Sequence, residues 1–176
     1  MKRVASQGVI VMLAFILQNT VFATLSLNGV KPNILLIITV FFGFAGSMNN
    51  GMITGFFSGL LCDIFFGSYI GVYSFLFMIL GGFSGLMAKG FYQDDMIFPY
   101  VTIILSDGLF GFMCYVFMFL LRGRFVFADY LYGVIVPEIL YTLLLSLLLF
   151  PVLHKFNNFL EMLAMKEKES DASGTT

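Results

Sequence analysis

Apolar residues in this chain gather into six long runs separated by short polar interruptions, a pattern that predicts an all-α integral membrane protein. The predicted spans are 4–22, 33–45, 51–66, 71–88, 96–121 and 130–153, forming one compact six-helix domain over 1–160. The first run follows Lys2 and Arg3. It is expected to be retained, because Gln18-Asn19-Thr20 makes a poor approach to a signal-cleavage site and further spans follow. Pro32, in the turn from Leu27 to Asn33, is placed to open the second helix. Gly46 to Asn50 makes a tight polar turn, and Lys89 to Asp95 is a charged loop. The fifth run carries Pro99 in its first turn and ends at Arg122-Gly123-Arg124. Residues 161–176 are polar and small, and are predicted to form a disordered cytoplasmic tail.

At 1.5 Å per residue the second and third runs reach at most about 24 Å, against a hydrocarbon core of about 30 Å. They either thin the bilayer locally or form a re-entrant hairpin. Basic residues set the orientation. With the N-terminus inside, Lys2, Arg3, Lys89, Lys155, Lys166 and Lys168 are cytoplasmic, while Lys31, Arg122 and Arg124 form a smaller outer set. Both termini are therefore expected inside. Trp is absent, so Tyr69, Tyr92, Tyr100, Tyr130 and Tyr132 are the expected interfacial anchors.

Composition agrees with this class. At 60% hydrophobic and 11% charged, with mean hydropathy +0.98, the chain is too apolar for a soluble domain. No basic patch points to nucleic acid. Cys62 and Cys114 lie within apolar runs and read as small buried hydrophobes. Neither a disulfide nor a zinc site fits two cysteines and one histidine, and no metal or cofactor is expected.

Within the third run, Gly51, Gly55, Gly59, Asp63 and Gly67 recur at every fourth position. Two overlapping G-x-x-x-G units let helix backbones approach closely in lipid, so Gly51, Gly55, Gly59 and Gly67 are expected to receive a helix of this bundle or of a partner protein. Each step of four winds about 40° past a full turn, so the stripe forms a band suited to a right-handed crossing. Asp63, Asp107 and Glu138 interrupt apolar runs, and each would cost about 2.5–3.5 kcal/mol at the bilayer centre on insertion scales. They therefore pair with basic groups such as Lys31, Arg122 or Arg124, hold a proton, or meet a polar partner. Pro137 beside Glu138 removes a backbone donor and predicts a kink there. The alternative is plain structure: glycines that only pack helices, Asp63 capping a helix end, and acids serving as hydrogen-bonded glue.

No catalytic pattern is present: there is no H-E-x-x-H, no G-x-S-x-G and no phosphate-cradling loop, and His154 stands alone near an interface. The ordered set Lys31-Pro32-Asn33, Gly55-Phe56-Phe57-Ser58-Gly59-Leu60-Leu61-Cys62-Asp63, Gly67, Gly71, Asp107, Arg122-Gly123-Arg124 and Pro137-Glu138 with Tyr141 resembles the rod shape-determining protein MreD family. The resemblance runs from Val4 to about Leu160. It implies a non-enzymatic scaffold of bacterial cell elongation in the cytoplasmic (inner) membrane. Its implied partners are the bitopic protein MreC, actin-like MreB, a RodA-type glycosyltransferase and a class B penicillin-binding protein. It also implies a fold similar to the substrate-binding S-component of energy-coupling-factor transporters. Two other readings stand beside it: a vitamin-transporter binding subunit, and a small proton-coupled transporter using Asp107 and Glu138.

Overall fold

A computed structural model describes residues 2–26, 29–67, 70–90, 97–120 and 127–173, and no β-strand occurs among them. The helices are α1 (Lys2–Thr24), α2 (Ile34–Ala45), α3 (Met48–Phe66), α4 (Val72–Gly90), α5 (Phe98–Met118), α6 (Phe127–Tyr130) and α7 (Val136–Ser173). A π-helical turn, Leu131–Ile135, joins α6 to α7 without a break.

A helix that is apolar on every side belongs in an interior, and α2 takes that place. Every residue from Ile34 to Gly43 is buried, and α1, α3, α4, α5 and α7 all pack on it. Its only polar side chain, Thr39, returns its hydroxyl to the Leu35 carbonyl at 2.8 Å. Burying a helix start strands several amide hydrogens, and here three elements answer them. The Asn33 side-chain Oδ1 accepts from the Leu36 N–H at 3.2 Å. Gln18 Oε1, from α1, accepts from the Leu35 N–H at 3.1 Å. Thr142 Oγ1, from α7, accepts from the Asn33 N–H at 3.0 Å.

α3 and α4 make the most extensive helix pair in the molecule, and glycine explains why. A Cβ at Gly51 would fall under 3.0 Å from the Gly81 backbone, one at Gly55 from the Phe77 carbonyl, and one at Gly59 from the Tyr73 and Ser74 backbone. The relation is mutual, since a Cβ at Gly81 would strike Gly51 and one at Gly85 would strike Met48. Carbonyl oxygens occupy the directions that side chains would take, the arrangement of Cα–H···O contacts. Gly43 of α2 enters the same seam beside Gly81 and Ser84. Gly67 does something else. It is the C-cap of α3, donating its N–H to the Asp63 carbonyl at 3.0 Å.

Asp63 joins these two helices at their connection. Its side chain is 1% exposed. One oxygen accepts from the Tyr73 N–H at 3.0 Å, and the other from the Ser74 N–H at 2.9 Å and the Ser74 hydroxyl at 2.5 Å. An acid near the end of α3 thus supplies the N-terminal cap of α4, where amide hydrogens and the positive end of the helix dipole favour a carboxylate. Gly71, at φ 106°, makes the turn that brings those amides round.

Among the described residues, three helical stretches are long and apolar enough to cross a membrane: Val72–Lys89, Phe98–Met118 and Phe127–Asn158. Ser6–Phe22 and Ile34–Ala45 are shorter apolar helices. Large apolar side chains cover the exterior, including Leu13 and Ile16 on α1 and Leu140, Leu144 and Leu148 on α7. The protein is built for a membrane. Several boundaries differ from those predicted, two of them for a clear physical reason. α3 begins at Met48 rather than 51, because Ser47 Oγ accepts from the Asn50 N–H and caps it there. The last helix continues to Ser173, through 161–173 where disorder was expected. Extending an existing helix needs no new nucleus, and 160–169 is rich in Leu, Met, Glu, Lys and Ala, which favour helix. Pro151 removes a backbone donor without ending it.

Two outcomes follow from the seam and the cap. Gly59→Leu forces the α3 and α4 backbones apart and should destabilise the detergent-solubilised protein by about 3 kcal/mol or more, beyond ordinary overpacking because backbone must move. Gly8→Leu, where a side chain meets open space, should leave the thermal midpoint unchanged. Asp63→Ala strands two buried amides and should cost about 2–4 kcal/mol. Asp63→Asn keeps an accepting oxygen and should recover roughly half of that loss. Thermal unfolding of the four variants checks both, and equal midpoints for Gly59→Leu and Gly8→Leu would contradict the seam.

Candidate functional site

At the end of the bundle that holds the α1–α2 connection, that connection, α1, α3, α4, α5, the π turn and α7 line an open cavity of about 360 Å³. Its polar lining includes Gln18 from α1, Lys31 and Asn33 before α2, Tyr73 from α4 and Glu138 from α7. Phe66, Phe77 and Phe110 contribute aromatic walls, Cys62 comes from α3, and Gly133 and Val134 come from the π turn.

The π turn is the kink that Pro137 predicts. Val136 donates its N–H to the Leu131 carbonyl, five residues back. Proline has no amide hydrogen, so an α-type bond from residue 137 to Gly133 cannot form. The helix absorbs this by widening, which is a frequent device at functional sites. The widened turn sets Gly133 and Val134 on the cavity wall with Glu138 just beyond them. Thr142 lies one helical turn further on the same face of α7 and is fully buried.

Asp107 rides the buried stripe of α5, with Ile103, Ser106, Phe110 and Cys114. Its side chain is 2% exposed. Asn33 and Thr142 are the polar side chains beside it, yet neither of its oxygens completes a hydrogen bond. The Ser106 hydroxyl next to it is also unpartnered. Buried polar atoms without partners are rare enough to demand a reason, and here consecutive residues of α5 carry three of them. Asp107 and Glu138 lie close enough to act on each other electrostatically. The capped start of α2 adds its positive dipole end nearby through Asn33.

The structure therefore sorts the three acids. Asp107 and Glu138 come together; Asp63 does not join them, because its oxygens are committed to α4. Lys31 stands exposed at the cavity, whereas Arg122 and Arg124 lie outside the described residues, as do Tyr69 and Tyr92. Tyr132 is exposed, and Tyr130 packs against Tyr115 and Phe119. Cys62 and Cys114 are free thiols, the latter buried. Gln18, Asn33, Tyr73 and Thr142 are cavity or support residues that the sequence reading did not assign. Gln18 could have been found as an amide inside an apolar run, and Thr142 as the residue one turn past Glu138. The facing ridge, Gly81-x-x-x-Gly85, was present in the sequence too. Among the described residues no group of three or more histidine, cysteine or acidic side chains is placed to hold a metal.

No curated protein and no solved structure matches this chain. A family model described as the rod shape-determining protein MreD matches residues 2–160. That stretch takes in the central α2, the glycine seam, the cavity and most of α7. This membrane protein belongs to the MreD family and has its role in the determination of rod shape.

Proposed function

We propose that the protein is a non-enzymatic scaffold of bacterial cell elongation that binds an MreC-like bitopic protein and so helps to coordinate lateral peptidoglycan synthesis. MreB, a RodA-type glycosyltransferase and a class B penicillin-binding protein complete the assembly on this reading. The observation that carries it is the family match across residues 2–160. The architecture is consistent with such a role: an interior closed by backbone contacts, and an exterior of exposed apolar side chains available to lipid and to other helices. Gly51, Gly55 and Gly59 are filled by α4, so a partner helix would dock on the exposed faces and not in that seam.

On this reading the helices cross the cytoplasmic membrane six times, with both termini inside, as the excess of basic residues on that side favours. α2, at 12 residues, is the short member, and α1, α3, α4, α5 and α7 pack around it. The cavity then opens outward. A fold similar to the S-component of energy-coupling-factor transporters accommodates a central short helix and an outward cavity.

Depletion of the protein in its host, followed by microscopy and membrane crosslinking, tests the proposal. Rods should round up within a few generations, and an MreC-like protein should be the main crosslinked neighbour. Unchanged rod shape, with no elongation protein among the crosslinked products, would contradict it.

A further inference from the structure

Two charges of opposite sign face the same cavity without meeting. Lys31 and Glu138 both line it, and Asp107 is the charged group that acts on half-buried Glu138, with no cation beside it. An acid set beside a second acid, with no cation in contact, favours a ligand that brings positive charge. Asp107 acts on Glu138 electrostatically, and both of its own oxygens are buried without a completed hydrogen bond. The wall opposite is apolar and aromatic, with Tyr73, Phe77 and Phe110. At about 360 Å³ the space falls within the roughly 300–1,000 Å³ range of small-molecule sites.

We infer that this cavity binds a small zwitterion of the amino-acid class, with its ammonium group on Glu138, its carboxylate toward Lys31 and an apolar side chain against Phe77 and Phe110. An ammonium supplies the missing positive charge and several donors where acceptors are in excess. Aromatic faces favour both a cation and an apolar body. Asp107 acts through Glu138, strengthening the negative field at the inner end of the cavity. Lys31, at the exposed end, selects against a plain amine by repulsion and in favour of a molecule that carries an acid as well. No partner protein is needed, so this inference stands or falls separately from the scaffold role.

Equilibrium binding to the purified full chain in lipid nanodiscs tests it. The probes are L-phenylalanine, L-leucine, phenethylamine and 3-phenylpropionate. At least one of the two amino acids should bind saturably, phenethylamine more weakly, and 3-phenylpropionate not at all. Glu138→Gln should weaken amino-acid and amine binding by about tenfold or more, as loss of a buried charge partner would. Lys31→Gln should weaken the amino acid about threefold to tenfold while leaving phenethylamine unchanged or tighter. Retention volume and thermal unfolding confirm that each variant is folded. If Glu138→Gln does not fold, the wild-type probe series and Lys31→Gln decide. Absence of saturable binding by both amino acids would overturn the inference. So would 3-phenylpropionate binding as tightly as L-phenylalanine, or a folded Glu138→Gln chain with unaltered affinity.

Discussion

Backbone pressed against backbone along the α3–α4 seam is the constraint on which the remaining architecture depends. Gly51, Gly55 and Gly59 on one helix and Gly81 and Gly85 on the other leave no room for side chains between them. In lipid, apolar surface gains little by leaving its surroundings, so helices associate through close packing and polar contacts instead. The seam supplies the first and Asp63 the second. Its carboxylate ties the end of α3 to the first turn of α4 through three hydrogen bonds. Once that hairpin closes, Gly43 can enter beside Gly81, and α2 is drawn into the interior.

A buried α2 in turn determines what the acidic end of the molecule can be. Its start lies at depth, and the groups that satisfy its amides come from α1 and α7. Those same groups, Gln18, Asn33 and Thr142, border the cavity or Asp107. Capping and site construction are therefore one arrangement. The contrast between the acids follows from it. Asp63 has every oxygen engaged and reads as structure; Asp107 has none engaged and acts on Glu138, which lines the cavity. Burial alone does not separate the two, since both are almost fully enclosed.

Much of this was legible in the chain, for identifiable reasons. Helix class and number of apolar runs follow from composition and periodicity, and the π turn follows from Pro137. Four-residue glycine spacing announces a close contact but names no partner, so the sequence left open whether Gly55 and Gly59 faced α4 or another protein. The answer lay in Gly81 and Gly85, which a search for matched ridges would have paired with them. The lone Asp63 invited a functional reading because nothing local shows that Tyr73 and Ser74, ten and eleven residues away, turn back to meet it. Gln18 and Thr142 stand out one at a time in the sequence, but their joint role with Asn33 does not, because it depends on three helices converging. The helical 161–173 stretch was missed because polarity was weighed there and continuation from an existing helix was not.

Site-directed crosslinking of the α3–α4 pair tests the central claim most directly. A Cβ at Gly82 lies 3.0 Å from Met52 Cγ, within the reach of a disulfide between the two positions. In a chain carrying Cys62→Ala and Cys114→Ala, the pair Met52→Cys and Gly82→Cys should crosslink within one polypeptide in native membranes, with or without other elongation proteins. Failure to crosslink under oxidation, or crosslinking only between separate chains, would show that the glycine seam is not closed inside the protein and would contradict the account.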